Sequence, residues 1–242
     1  MLSPELRNFR NVFVALPPSY DTDRERRFPV VYMQDGQNLF DPATSYAGDW
    51  RLGTALTDLA ERGSEAIVVG VANSKQRLYE YSPFPHDRLG GGGGDRYLAF
   101  LIDTLKPSVD REFKTLAGPD RTAIAGSSMG GLISLYAAHR YGDVFGSVAA
   151  LSPSLWFSNR RLIQFIASAG PERLPRVYLD IGLQEPSSAI SDVRELRIVL
   201  EGLGHRLGTG FEYVEDEAGG HDEAAWGRRF AQALPFLLGD TS

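Results

Sequence analysis

The chain has 242 residues, of which 43% are hydrophobic and 23% are charged, and it contains no cysteine. This composition is typical of a globular protein with a sizeable core, and the lack of cysteine excludes disulfides, thiolate metal sites and a cysteine nucleophile. The formal net charge of −6 disfavours nucleic acid and anionic membrane surfaces as partners.

The first residues, MLSPELRNFRNVFVALPPSYD, lack a basic segment followed by a long apolar segment, so they do not predict a signal peptide. No run approaches the roughly 18 apolar residues of a membrane span. We therefore expect a soluble cytoplasmic protein with no membrane partner. Export from a longer precursor is the alternative.

Seven apolar runs rich in β-branched residues are predicted to be strands. They cover residues 11–16, 29–35, 66–72, 122–126, 146–152, 176–182 and 211–216. Most are continuously apolar, which is typical of a sheet that is buried on both faces.

Helical patterns lie between these runs, within residues 49–63, 97–113, 190–204 and 224–238 and directly after the serines at 127 and 128. Pro235 is expected to bend or end the last helix. The alternation of strands and helices indicates a parallel sheet with helices on both faces. Because no internal repeat or long linker divides the chain, we predict one domain of the α/β class over residues 1–242.

Residues 74–95 follow neither a strand nor a helix period, and they contain five successive glycines, Gly90–Gly94. A loop of this length inside a compact domain is usually functional or disordered. We predict that it forms a lid or a pocket wall, and a disordered surface loop is the alternative.

The segment Gly126-Ser127-Ser128-Met129-Gly130 matches the G-x-S-x-G pattern of a nucleophile elbow. It follows a predicted strand and opens a predicted helix, as the elbow requires. The two glycines flank Ser128 at the offsets where the sharp turn needs small residues. Ser128, rather than Ser127, is therefore the predicted nucleophile, and a glycine-rich turn without chemistry is the alternative.

A serine nucleophile needs a base, and His221 is the predicted one among four histidines. In α/β-hydrolases the base comes last, in a loop after the final strand, and His221 follows the predicted strand 211–216. His205 precedes that strand, at the other end of the sheet. His139 lies on the helix after the nucleophile, and His86 lies in the 74–95 segment, where contact with substrate is open.

The base needs a carboxylate to orient it, in a loop after the penultimate predicted strand. Glu185 lies just beyond that strand and is the predicted acid, with a solvent-exposed loop glutamate as the alternative. Asp180 lies inside the strand. Asp222 adjoins His221, but consecutive residues rarely direct one side chain at the ring of the other.

An oxyanion hole needs two backbone N–H donors. One is expected from Met129, the residue after the nucleophile. The other is expected from Gln37, because the strand ending at Asp35 is followed by Gly36, which permits a tight turn. An ordinary strand-ending turn is the alternative for Gln37.

Several segments together resemble the esterase D family of α/β-hydrolases. The segments are FPVVYMQDGQNLFD, VVGVANSKQRLYEYSPF, IAGSSMGGLISLYAAHRYGDVFGSVAALSPSLWF, LDIGLQE and GGHDEAAW. The family includes enterochelin-esterase-like proteins, feruloyl and acetyl-xylan esterases, S-formylglutathione hydrolases and mycolyltransferases. The resemblance extends from about Asn11 to Leu238 and implies one α/β-hydrolase domain with a mainly parallel sheet and a minimal cap.

Carried over residue by residue, the resemblance implies Ser128 as nucleophile, His221 as base, Glu185 as acid, and Gln37 with Met129 at the oxyanion hole. Several relatives carry Asp at the position of Glu185, so the acid departs from their pattern.

Arg77 and Glu80 recur in this family, and we predict a structural Arg77–Glu80 ion pair that holds the loop. Direct contact between Arg77 and substrate is the alternative. Trp156 and Phe157, just after the predicted strand 146–152, are expected to line the substrate pocket or to belong to the core.

The predicted function is a serine carboxylesterase that hydrolyses short-chain acyl esters of small molecules through an acyl-serine, with no metal or cofactor. Short chains are expected because no cap domain or amphipathic insertion is visible. The alternatives are a thioesterase or acyltransferase with the same triad, similar to S-formylglutathione hydrolases, and a siderophore or feruloyl ester hydrolase. A non-catalytic binding protein is the rival from another class, and a homo-oligomer stays open.

Overall fold

The computed structural model describes residues 1–45, 48–169 and 173–239. Its strands are β1 (Leu2–Ser3), β2 (Asn8–Phe9), β3 (Val12–Ala15), β4 (Val30–Gln34), β5 (Ile67–Val71), β6 (Pro85–His86), β7 (Gly90–Gly91), β8 (Thr122–Ser127), β9 (Ser147–Leu151), β10 (Arg176–Gly182) and β11 (Phe211–Asp216). The seven longest strands form one sheet in the order β11-β10-β9-β8-β4-β5-β3. Every neighbouring pair is parallel except β3 with β5. The seven predicted strands are confirmed, to within one residue at each end.

The helices alternate with these strands. They are α1 (Leu52–Glu61), α2 (Arg77–Glu80), α3 (Gly94–Ala99), α4 (Lys106–Glu112), α5 (Met129–Arg140), α6 (Arg161–Ala169), α7 (Ser187–Gly202) and α8 (Glu223–Leu238). A π-helical segment, Phe100–Leu105, joins α3 to α4. The sequence pattern did not predict α6. Among the residues with a described structure, no helix combines the length and the apolar composition needed to cross a bilayer.

Pro235 does not end α8, so that part of the prediction is wrong. The helix continues to Leu238 and stops at Gly239, which has φ 80°. Pro235 and Ala231, the residue whose carbonyl group loses its helical partner, are both only partly buried. Leu237 and Leu238, which are buried beyond the proline, hold the last turn against the core.

Side chains of each central strand alternate between two apolar cores, one on either face of the sheet. In β4, Val30 and Tyr32 belong to the core that also holds residues of α5, α6 and α7, whereas Val31 and Met33 face α1 and α8. Both sets are buried, which explains why the strand sequences are continuously apolar. The predicted fold class, an α/β-hydrolase-type domain with helices on both faces, is confirmed.

Residues 74–95 are folded, and the alternative of a disordered loop is wrong. They contain α2 and the β6–β7 hairpin. The glycine run has a packing reason: a Cβ on Gly94 would lie 2.8 Å from the backbone nitrogen of Pro83, and Gly91 has φ +106°. The segment forms part of the wall of the cleft described below.

Candidate active site

The predicted site residues lie in loops at the carboxyl edge of the parallel sheet. Ser128 follows β8, Glu185 follows β10, His221 follows β11, and Gln37 follows β4. Because the carboxyl ends of parallel strands meet at one edge, residues far apart in the sequence come together there.

Ser128 occupies a sharp turn between β8 and α5, with φ 55° and ψ −123°. This strained conformation is characteristic of a nucleophile elbow. The flanking glycines are required by close packing: a Cβ on Gly126 would lie 2.7 Å from the carbonyl carbon of Gly130, and one on Gly130 would lie 2.9 Å from Cβ of Gln34. A larger residue at position 126 would displace the backbone of the elbow, and one at position 130 would displace the side chain of Gln34.

The structure brings Ser128, His221 and Glu185 into one hydrogen-bonded chain. His221 Nε2 lies 3.0 Å from Ser128 Oγ, and His221 Nδ1 lies 2.7 Å from Glu185 Oε2. The Glu185 side chain is 1% exposed, whereas the imidazole is 43% exposed. This is the arrangement of a serine nucleophile, its base and an orienting carboxylate.

Glu185 is held as an anion by three donors. His221 donates to one carboxylate oxygen, while the hydroxyl of Ser152 (2.5 Å) and the backbone N–H of Gly182 (3.0 Å) donate to the other. Burial by itself raises the pKa of the Glu185 carboxyl, but these hydrogen bonds outweigh it and hold the pKa below its ordinary value of 4.5. Glu185 is therefore ionised at neutral pH and fixes a proton on His221 Nδ1.

Behind Glu185 lies a buried cation, Arg229 of α8, whose side chain is 2% exposed. Its Nη2 donates to Ser152 Oγ at 2.8 Å, and its Nε lies 3.3 Å from Asp180 Oδ2. Carboxylate oxygens of Glu185 and Asp216 each lie 4.0 Å from it. One guanidinium thus faces three carboxylates, and Ser152 links it to the predicted acid.

The other candidates for the acid and the base lie elsewhere. Asp180 is completely buried in β10, where burial raises its pKa to about 7 and Arg229 only partly offsets that rise. Asp222 caps α8 by accepting from the backbone N–H of Ala225. His139 and His205 are buried and lie near each other, with ring centroids 6.1 Å apart, and His86 packs on Phe157.

The two backbone groups predicted for the oxyanion hole belong to the turn after β4 and to the first residue of α5. Asp35 adopts a left-handed conformation with φ 54°, and Gly36 packs so closely that a Cβ would lie 2.5 Å from the carbonyl carbon of Gly70. This turn places Gln37 in the cleft beside Ser128. Within residues 1–45, 48–169 and 173–239, the backbone N–H groups of Gln37 and Met129 donate no hydrogen bond, so both are free to bind a substrate oxygen.

Ser128 lines a cleft of about 770 Å³. Its walls are formed by Asp35, Gln37, Asn38, Thr44, Ser45, Asn73, Arg77, Ser127, Ser128, His221, Glu223 and Trp226. Of these described residues, Trp226 is the one large apolar side chain, and its ring meets the imidazole of His221 edge to face at a centroid distance of 4.8 Å. Most of the lining residues therefore carry polar or charged side chains, although their apolar atoms form the larger part of the cleft surface.

Arg77 lines this cleft, but its ion pair differs from the predicted one. Its Nε and Nη2 donate to the two carboxylate oxygens of Asp35, at 2.8 and 2.7 Å. Glu80 instead pairs with the buried Arg10. The predicted Arg77–Glu80 pair is wrong, because Arg77 lies at the start of α2 facing β4, where the Asp35 turn offers a bidentate acceptor.

Trp156 lies outside the residues that line this cleft, so the structure does not support its predicted contact with substrate. It is 48% exposed and packs on Phe157, with ring centroids 5.6 Å apart. Phe157 is buried in the core, as one of the two predicted outcomes for this pair. The aromatic side chain that contacts His221 in the cleft is Trp226, from α8.

Four residues of the site were not found from the sequence: Arg229, Ser152, Asp35 and Trp226. Arg229 sits in a helix with a second arginine beside it, and no pattern distinguishes the buried one. Ser152 ends a strand like many serines. The side chain of Asp35 had no predicted partner, although its neighbour Gly36 was recognised as part of a turn.

The parallel sheet, the strained serine between β8 and α5, and the histidine and carboxylate in later loops define an α/β-hydrolase-type protein. The family described as "Putative esterase" matches residues 3–237, and the chain belongs to this family. Membership supports ester hydrolysis as the reaction class.

Relatives include proteins of known and unknown activity. An uncharacterised protein of Bacillus subtilis, YbbA, is 32% identical over 76% of this chain and 72% of its own length. The siderophore triacetylfusarinine C esterase of Aspergillus fumigatus is 29% identical over 54% of this chain and 46% of its own length. This chain therefore matches less than half of that fungal protein.

Solved structures share the fold. A ferulic acid esterase superposes with a TM-score of 0.77 at 21% identity, covering 99% of this chain and 96% of its own. The enterobactin esterase of Shigella flexneri superposes with a TM-score of 0.80 at 23% identity, covering 99% of this chain and 57% of its own. The resemblance to enterochelin-esterase-like and feruloyl esterase proteins is confirmed.

Proposed function

We propose that this protein is a serine carboxylesterase that hydrolyses short-chain esters through an acyl-serine intermediate. One observation carries the proposal: His221 lies between Ser128 Oγ at 3.0 Å and the buried Glu185 carboxylate at 2.7 Å. Neutral imidazole with its proton on Nδ1 presents a free lone pair on Nε2 to the serine, which is the requirement for a general base.

In the acylation step, Ser128 Oγ forms a bond to the ester carbonyl carbon as its proton passes to His221 Nε2. The carbonyl oxygen becomes an oxyanion, and the N–H groups of Gln37 and Met129 are the proposed donors to it. Collapse breaks the bond to the alcohol oxygen, which takes the proton from Nε2 and leaves. Glu185 stabilises the imidazolium that exists between these proton transfers.

In the deacylation step, water takes the place of the alcohol. His221 removes a proton from the water as its oxygen bonds to the acyl carbon. The bond from that carbon to Ser128 Oγ then breaks, and Nε2 returns the proton to the serine. A carboxylic acid leaves and the enzyme is regenerated, with no other reactant consumed.

The lining of the cleft supports a small, neutral substrate. A long acyl chain needs an extended apolar wall to leave water, yet Trp226 is the one large apolar side chain among the described lining residues, and the others end in amides, hydroxyls or charged groups. We propose that acetyl and butyryl groups fit against Trp226 and that longer chains extend into solvent.

Siderophore esters are the second candidate, favoured by the names of several relatives. The charges in the cleft argue against an anionic iron complex. Asp35 and Glu223 both line it, and the cation there, Arg77, is already paired with Asp35. We therefore rank neutral esters first.

The central experiment compares Ser128→Ala with Ser127→Ala. Hydrolysis of p-nitrophenyl acetate should vanish in the first variant and remain substantial in the second, since Ser127 makes no hydrogen bond to His221. Mass spectrometry after treatment with a phosphonylating inhibitor should place the label on Ser128. A dead Ser127→Ala together with an active Ser128→Ala would overturn the assignment.

The substrate class is tested with a panel of p-nitrophenyl esters of increasing chain length, together with feruloyl and acetylated-sugar esters and a catecholate siderophore ester. We expect the highest kcat/KM for acetate or butyrate, and a preference for palmitate would contradict the proposal. A thioesterase would instead prefer acylated thiols to matched oxygen esters, and an acyltransferase would prefer an added alcohol to water.

A further inference from the structure

The nucleophile has a second hydroxyl neighbour that the triad does not include. Ser154 Oγ lies 3.0 Å from Ser128 Oγ, the same distance as His221 Nε2. Ser154 is 5% exposed, and its backbone N–H also donates to the Ser128 carbonyl group at 3.0 Å. The loop after β9 thus holds Ser154 against the elbow at two points.

The direction of the hydrogen bond between the Ser154 and Ser128 hydroxyls follows from the hydrogen bonds of Glu185 and His221. The Glu185 carboxylate already accepts from Ser152 and Gly182 and is ionised, so it accepts from His221 Nδ1 as well. A neutral imidazole protonated at Nδ1 is an acceptor at Nε2. The single proton of Ser128 therefore points at His221.

Ser128 has no second proton to give to Ser154. The hydrogen bond between the two serines must then run from the Ser154 hydroxyl to a lone pair of Ser128 Oγ. Within the described residues, Ser154 Oγ has this one hydrogen-bond partner, so no competing acceptor draws the proton away.

We infer that Ser154 is a further catalytic residue, whose hydroxyl donates a hydrogen bond to Ser128 Oγ and stabilises the negative charge that this oxygen carries in both chemical steps. The inference rests on the proposed function. During acylation, charge builds on Ser128 Oγ as its proton moves to Nε2. During deacylation, the electron pair of the carbon–oxygen bond returns to the same atom. Ser154 keeps its own proton throughout.

A hydrogen-bond donor that is held next to an atom that becomes charged in the transition state affects kcat more than it affects substrate binding in the ground state. Removal of one oxyanion-hole donor costs about 10²–10³-fold in kcat in a well-studied protease. The charge on Ser128 Oγ is transient and shared with the base, so the expected loss for Ser154 is smaller, about 10- to 100-fold.

The test compares Ser154→Ala with Ser158→Ala. Both serines are buried in the connection between β9 and α6, but Ser158 Oγ donates to the carbonyl oxygen of Phe84 rather than to Ser128. For each variant we would measure kcat and KM for p-nitrophenyl acetate, the second-order rate of phosphonylation of Ser128 by a fluorophosphonate, and Tm.

Ser154→Ala should lower both kcat and the phosphonylation rate by about 10- to 100-fold, with KM changed by less than about threefold and a Tm close to that of Ser158→Ala. Ser154→Thr, which keeps a hydroxyl, should recover most of the phosphonylation rate. If Ser154→Ala does not fold, Ser154→Gly removes the same hydroxyl and is judged by the same rates.

The inference is overturned if the variant without the hydroxyl reacts at the wild-type rate, if Ser158→Ala is equally slow, or if Ser154→Thr is no faster than Ser154→Ala. Failure of the proposed function has a different signature. If the proposed function is wrong, the wild-type protein will hydrolyse no ester in the panel, or Ser128→Ala will remain active.

Discussion

At the scale of single residues, the site depends on which carboxylate reaches the histidine. Asp180 and Glu185 follow closely in the sequence, yet Asp180 faces Arg229 and Glu185 faces His221. We expect Glu185→Gln to lower kcat by as much as about 10⁴-fold, the effect of the comparable change in a serine protease, because an amide cannot stabilise the imidazolium. Asp180→Asn should lower kcat far less. Steady-state kinetics of both variants decide the matter, and equal losses would remove Glu185 from its assigned role.

The ionisation state of Glu185 also affects the pH dependence of kcat/KM. Its pKa is held below 4.5, so the carboxylate stays ionised throughout the range from pH 5 to 8. We therefore expect kcat/KM to fall toward acid, since only neutral imidazole accepts the serine proton. A profile of p-nitrophenyl acetate hydrolysis with no fall toward acid would contradict the role of His221.

Among the secondary-structure elements, α8 contributes both to the stability of the core and to the candidate active site. It packs Trp226 and Phe230 into the core beside α1 and directs Arg229 at Asp180 and Ser152. Arg229→Met should cost about 3–5 kcal/mol in the free energy of unfolding, because it removes the buried cation that pairs with the buried Asp180 carboxylate. The neighbouring Arg228 is 59% exposed, and Arg228→Ala should change stability by no more than about 0.5 kcal/mol. Urea denaturation of the two variants gives the comparison, and equal effects would refute the coupling.

The secondary-structure elements were predicted from the sequence far better than the contacts between side chains. The strands follow directly from runs such as residues 176–182, because burial on both faces leaves a continuous apolar signal. The nucleophile elbow was visible for a similar reason, since sterics force glycine at Gly126 and Gly130. The Arg77–Asp35 pair was not predictable, because it depends on how α2 is placed against the end of β4. The local sequence does not determine how α2 is placed against β4.

At the scale of the whole molecule, buried histidines make the fold sensitive to acid. His139 is buried on α5 near His205, and burial lowers the pKa of His139 from 6.5 to about 4. The unfolded chain therefore binds a proton at pH values where the folded chain does not. As the pH falls from about 6.5 to 4, His139 should remove up to about 1.4 kcal/mol of stability per pH unit.

The matched variant is His139→Phe, which cannot take up that proton. Its free energy of unfolding, measured by urea denaturation between pH 4 and 8, should fall less steeply with acid than that of the wild-type protein. Above pH 7.5 the two slopes should coincide, whatever the difference in absolute stability. Parallel curves across the whole range would show that His139 is protonated in the folded state as well.

The elbow serine and its base are 93 positions apart in the chain. At a synthesis rate of about 5–20 residues per second, a ribosome makes Ser128 roughly 5–20 s before it makes His221. Throughout that interval the nascent chain carries Ser128 without His221. Under the proposed mechanism, the growing polypeptide therefore does not react with the esters around it, and reactivity begins only when β11 joins the edge of the sheet and the loop after it brings His221 to Ser128.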